Sequence, residues 1–96
     1  MSKSATPFKH NNGFFRYMDC STCHITKDVS KSITDIESLI VYPHDYGWWV
    51  FVPEEIYDDV PKCLRDILFY ARGGNAQWVK LDVDGWTWDA LPKYNW

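Results

Sequence analysis

Ninety-six residues fall within the range of one domain and leave no room for two separately cored units. Hydrophobic residues make up 46% of the chain and aromatics 18%, enough apolar surface to offset the ordering entropy without a disulfide or metal framework. The net charge is only −3, but residues 32–91 hold eleven acidic side chains against four basic ones, a local charge of −7 that repels phosphate and argues against direct nucleic-acid binding.

Residues 1–12 mix Ser, Thr, Pro, Lys and Asn with a single Phe and read as a flexible N-terminal arm, ahead of one α+β domain over residues 13–96. No apolar run approaches the ~20 residues of a bilayer crossing, and no hydrophobic stretch follows the first lysine. A cytoplasmic protein without membrane partners is therefore expected, with Cys20, Cys23 and Cys63 as thiols. The aromatic-dense residues 14–18 predict a first strand. Thr26 is a suitable cap and Val29, Ile33, Ile36 and Ile40 recur at helical steps, predicting a helix over residues 27–39.

Pro43, Asp45 and Gly47 punctuate the chain before the uninterrupted apolar run 48–52, a second predicted strand that Pro53 ends. Residues 54–59 form an acidic connector. Pro61 opens a helix over residues 61–72, in which Leu64, Ile67, Leu68 and Ala71 repeat at helical spacing until Gly73-Gly74 supplies a left-handed cap. Residues 77–82 alternate outward polar side chains with Trp78, Val79 and Leu81, and Asp84-Gly85 signals a tight hairpin into a last strand, 86–88. The resulting order βαβαββ implies a small mixed, mainly antiparallel sheet of about four strands with two helices. Leu91, Tyr94 and Trp96 make the last residues too apolar for a frayed tail.

The most conspicuous chemical motif is Cys20-Ser21-Thr22-Cys23-His24, which has the spacing of a c-type haem attachment site. Haem attachment requires export, which nothing here directs. A redox Cys-x-x-Cys would gain from the helix start downstream, which favours a thiolate. Zinc lacks a second paired half-site, since only Cys63, His10 and His44 remain. The plainer reading makes Cys20 and Cys23 small residues at a strand-to-helix turn, ordered by a hydrogen bond from His24. No metal or other cofactor is expected. A thiol or metal-binding protein using Cys20, Cys23 and His24 is the alternative.

Asp82-Val83-Asp84-Gly85 imitates the start of a calcium loop, but Lys80 and Leu91 occupy the positions of its first and last carboxylates. The adjacent carboxylates at 54/55 and 58/59 point in different directions and suit a solvated loop better than paired acid–base work. No phosphate loop, nucleophile elbow or zinc-protease motif is present in the sequence, so an enzyme is not expected. Six Trp and six Tyr exceed what one small core encloses. One of Trp48 and Trp49 should lie off the core, and Trp86 and Trp88 should share a strand face.

Ser21-Thr22-Cys23-His24-Ile25-Thr26, Tyr46-Gly47-Trp48, Leu81-Asp82-x-Asp84-Gly85 and the ending Leu91-Pro92-x-Tyr94-x-Trp96 together resemble a family of small domains of unknown function carried on plasmids, phages and integrative elements. The resemblance covers residues 20–96. In that pattern other residues stand where this chain has Cys20 and Cys23, which weakens the haem and zinc readings. In size and charge layout the chain is similar to anti-CRISPR and anti-restriction proteins that imitate DNA. The family resemblance implies a fold and a genomic habitat but no activity; the size and charge layout add the expectation of a mobile-element accessory protein that binds a basic, nucleic-acid-directed host defence complex, such as a CRISPR effector subunit. Its expected binding residues are Asp45, Glu54, Glu55, Asp58, Asp59, Asp82, Asp84 and Asp89, with Trp48, Trp86 and Trp88 as anchors.

Overall fold

The computed structural model describes residues 13–96, so the arm expected over residues 1–12 lies outside the described chain. Four strands and two α-helices follow in the order β1 (Tyr17–Ser21), α1 (Lys27–Ser32), β2 (Val41–His44), β3 (Gly47–Phe51), α2 (Lys62–Gly73) and β4 (Trp78–Asp82). Short 3-10 turns at Thr22–His24 and Ile33–Asp35 flank α1. The class is α+β, with one four-stranded mixed sheet ordered β1-β4-β3-β2. The β1–β4 pair is parallel, and the β4–β3 and β3–β2 pairs are antiparallel.

The element order is βαββαβ rather than the expected βαβαββ, and two strands account for the change. Pro43, read as punctuation, sits inside β2, the edge strand of a hairpin with β3. Because Phe51 N–H donates to Ile40 C=O, the ladder alternation turns Tyr42 toward β3 and leaves the proline nitrogen facing outward, the position a sheet tolerates. Residues 86–88, expected as the last strand, carry no strand structure. The turn at Asp82–Gly85 instead carries the chain across β1. A Cβ on Gly85 would lie 2.6 Å from the Cys20 carbonyl carbon and oxygen, so only glycine permits that crossing.

The first strand begins three residues later than expected. Phe14 and Phe15 are exposed, and the register is set by Met18 and Cys20, which face the core opposite Val79 and Leu81. In α1 the Thr26 cap forms as the sequence indicates, its Oγ1 accepting from Val29 N–H at 3.2 Å. The helix then stops at Ser32 instead of continuing to residue 39. Ser30 and Ser32 turn their hydroxyls onto the carbonyls of Lys27 and Asp28, and β-branched Ile33 and Thr34 follow. Both features compete with helix propagation. α2 lies within a residue of its expected bounds, but its ending differs: Gly74 has ordinary φ, and the left-handed residue is Asn75 (φ 61°).

All the helical layer packs on one face of the sheet. Val50, Val79, Leu81, Met18 and Cys20 from the strands meet Leu64, Ile67, Leu68 and Ala71 of α2, together with Ile25, Ile33 and Leu91. The opposite face contributes nothing to this core, and no described helix covers it. At Gly47 a Cβ would stand 1.9 Å from Leu81 C=O, so glycine is what lets β3 start so close against β4.

Candidate functional site

Strand alternation decides which side chains the uncovered face displays. The register aligns Trp49 with Lys80 and Phe51 with Trp78, while Tyr17 lies beside Trp78 on the other flank and Tyr42 beside Trp49. Rings from all four strands thus gather on one side. Tyr17 meets Trp49 edge-on with centroids 5.1 Å apart, and Phe51 meets Trp78 at 5.2 Å. Tyr42 lies 6.1 Å from Trp78, and Trp49 lies 6.4 Å from Trp78 at a right angle. The Tyr17–Trp49, Phe51–Trp78 and Trp49–Trp78 pairs are edge-to-face, a geometry that adds about 0.5–1.5 kcal/mol per pair beyond area burial, while Tyr42–Trp78 is tilted.

A concavity of about 320 Å³ opens on this platform, lined by Phe15, Arg16, Tyr17, Tyr42, Trp49 and Trp78. Tyr17 is 55% exposed and Tyr42 58%, so the rings are offered to solvent instead of merely covering the sheet. Contiguous exposed apolar surface of this kind marks contact sites. Lys80 adds a cation 5.9 Å above the Trp49 ring and 3.7 Å from the Asp82 carboxylate. His44 is held in place by two bonds, its Nε2 to Leu81 C=O at 3.1 Å and its Nδ1 accepting from Tyr46 N–H at 3.2 Å.

Apart from Asp89, the acidic residues singled out in the sequence stand in two groups. Asp45, Asp82 and Asp84 lie at the end of the sheet where Gly47 pairs with Asp82, and residues 54–59 follow the opposite end, where Phe51 pairs with Trp78. Several are already engaged. Asp82 Oδ1 accepts from Asp84 N–H at 2.8 Å, closing the turn, and Asp89 lies 3.9 Å from Lys93 Nζ. The Asp59 carboxylate accepts from the backbone and hydroxyl of Ser38, which hold it below the usual carboxylate range. Glu55 accepts from the Tyr57 hydroxyl, which raises the Tyr57 pKa, while Glu54 and Asp58 are exposed.

The three indoles divide differently from expectation. Trp48 packs against the core, and its neighbour Trp49 stands on the open face. With no strand at 86–88, Trp86 and Trp88 do not share a face. Trp86 is 64% exposed, whereas Trp88 packs on the core and on Tyr70, 5.4 Å away, with its Nε1–H donating to Asp19 C=O at 2.7 Å. Sequence reasoning passed over Tyr17, Tyr42, Trp49, Phe51 and Trp78 as a set. The available signal was the period-2 spacing of Trp78, Lys80 and Asp82 against Val79 and Leu81.

The Cys20–His24 motif serves the fold. Cys20 points into the core, where burial, with smaller contributions from Cys23 and Asp19, pushes its thiol up to about 12. At that value Cys20 is a neutral thiol at physiological pH. His24 is buried and bonded at both nitrogens, with Nδ1 2.8 Å from Pro92 C=O and Nε2 accepting from Trp88 N–H at 2.8 Å. That pattern specifies the neutral Nδ1–H tautomer and fastens the C-terminal residues rather than its own turn. Tyr94 N–H donates to Cys23 C=O and Trp96 Nε1–H to Ile25 C=O, completing the clasp. Among the described residues no three of His, Cys, Asp and Glu gather where they could share a metal ion.

The fold and surface define a small two-layer α+β domain with one covered and one open sheet face. The chain belongs to the family of unknown function DUF5983, whose C-terminal domain matches residues 17–96. No curated protein and no solved structure matches it significantly. Among the described residues no helix is long and apolar enough to cross a membrane.

Proposed function

We propose that the protein works by binding another macromolecule through the open aromatic face of its sheet. The observation that carries this reading is the convergence of Tyr17, Tyr42, Trp49, Phe51 and Trp78 from four strands onto a side that no described element covers. Aromatic anchors of this kind supply most of the energy of protein interfaces, and flanking charges supply register and encounter rate.

The partner that suits the surface is a protein with a basic patch, drawn by the −7 of residues 32–91 and seated on the rings. In its specific form the reading is that of a mobile-element accessory protein inhibiting a nucleic-acid-directed host defence complex, a CRISPR effector subunit being one such partner. The division of the carboxylates between two ends of the sheet favours an aromatic-centred blocker over imitation of a continuous phosphate row.

Affinity capture from a host carrying defence systems tests this, with wild type, Trp49→Ala/Trp78→Ala and a charge reversal at Glu55, Asp58 and Asp59 compared side by side. The aromatic variant should lose the partner while the charge variant retains it in weakened, salt-sensitive form. Retention by the aromatic variant at unchanged affinity would refute the reading.

A further inference from the structure

The outer edge of β1 is only half used. Trp78 N–H donates to Arg16 C=O, which fixes the ladder phase: residues 16, 18 and 20 turn their backbone groups toward β4, and residues 17, 19 and 21 turn theirs outward. The chain's own residues 86–88 take the upper part of that edge. Ser21 N–H donates to Trp86 C=O at 2.8 Å, Asp19 C=O accepts from the Trp88 indole, and the Asp19 carboxylate accepts from Trp86 N–H at 3.1 Å. Below this the Tyr17 N–H, Tyr17 C=O and Asp19 N–H face outward with no partner among the described residues.

That unpaired stretch forms one wall of a cleft of about 570 Å³, whose other wall is the C-terminal half of α2. Phe69, Tyr70, Gly73 and Gly74 line the helix side, Met18 and Ala76 the floor, and Trp88 closes one end. We infer that this cleft is a peptide-docking site, in which an extended segment of a partner protein adds to β1 as a fifth strand. Unsatisfied alternating donors and acceptors select an extended backbone over a helix or a compact ligand. Residues 86–88 already lie against the same edge through the neighbouring Ser21 N–H and Asp19 C=O, so the site continues an edge the fold itself uses.

Strand addition fixes what the occupant looks like. Every second side chain of the segment points under the sheet toward Phe69, Tyr70 and Met18, which takes a medium apolar residue. The intervening side chains emerge beside Tyr17 and Asp19. There the Asp19 carboxylate and the acidic body favour lysine or arginine, Arg16 being the one basic side chain that also lines the cleft. The occupant is an extended segment that alternates apolar and basic residues. This site adjoins the aromatic face at Arg16 and Tyr17, which line both concavities, but does not need Tyr42, Trp49, Phe51 or Trp78.

The test uses the full chain and a fluorescein-labelled, acetylated hexapeptide of alternating lysine and leucine, followed by fluorescence anisotropy. Two further probes carry backbone N-methyl groups on all the leucines or on all the lysines. In an added strand only one of these sets faces β1, so one methylated probe should lose binding and the other should bind like the parent. Gly73→Trp fills the cleft at a position where an added Cβ meets nothing within 4 Å, so the fold accepts it while Kd should rise by about tenfold or more. Trp49→Ala on the open face should leave the probe bound. Absence of saturable binding, equal binding of both methylated probes, or wild-type affinity in Gly73→Trp overturns the inference. So does loss of binding in Trp49→Ala with Gly73→Trp unaffected, which would assign the peptide to the aromatic face.

Discussion

The two faces of the sheet are built from the same four strands and have opposite compositions. The helix-facing side is filled by Met18, Cys20, Val50, Val79 and Leu81, compact side chains that interdigitate with α2. The open side displays Tyr17, Tyr42, Trp49, Phe51, Trp78 and Lys80, large rings that touch one another more than they touch anything beneath. Stability is therefore concentrated on one side, and the proposed binding surface is the other. A mainly antiparallel sheet allows such a division because one of its faces can remain in water. Substitutions should separate along this line, with core changes unfolding the domain and face changes leaving it folded and unable to bind.

The largest separation is expected at Leu81→Ala, which removes a fully buried side chain opposite Cys20 and should cost about 2–5 kcal/mol in urea denaturation. A loss below 1 kcal/mol would mean that the face pressed on the helices is not where stability resides. Next is His24→Ala. It orphans Trp88 N–H and Pro92 C=O at once and should destabilise by about 1–3 kcal/mol. Limited proteolysis should then release the residues after Trp88 before the body is cut.

Alkaline titration sharpens the contrast from the buried side. Cys20 keeps its proton in the folded state up to about pH 12, whereas an exposed thiol ionises near 9. The folded state thus binds the extra proton between those values, and stability should fall with rising pH across that window by up to about 1.4 kcal/mol per pH unit. Cys20→Ala should flatten the slope. The smallest effect on stability is expected at Trp49→Ala, roughly 1 kcal/mol from lost ring contacts, with the far-ultraviolet spectrum unchanged. If this variant unfolded the domain, the open face would be a core surface and its role in binding would fall.

How far the sequence announced all this depended on whether a feature was local. α2 was readable within a residue because Leu64, Ile67, Leu68 and Ala71 share a face and all are buried. The Thr26 cap was readable because its hydroxyl and its donor lie three residues apart. The length of α1 was not, since Ile40 continues the helical spacing while the chain has already turned to enter β2 and leaves it half exposed. Trp86-Thr87-Trp88 alternates like a strand, yet the close approach of Gly85 to Cys20 drives it across β1 as an irregular segment.

The candidate site was the least legible part. That one of Trp48 and Trp49 leaves the core follows from alternation, but which one depends on the pairing of β3 with β4, thirty-odd residues away. The aromatic platform exists only once β2, through its hairpin with β3, and the distant β1 are laid on either flank of that pair. Its members carry no local motif.

Pro43 gives the molecule a polarity that its small size conceals. On the rim formed by β2 a donor is missing where a neighbouring backbone would need one, so lateral growth is blunted there, while the rim formed by β1 retains free groups. Such a sheet can accept one visitor but cannot pass the invitation onward. Its complexes should stop at fixed stoichiometry and should not elongate into fibres even in concentrated solution.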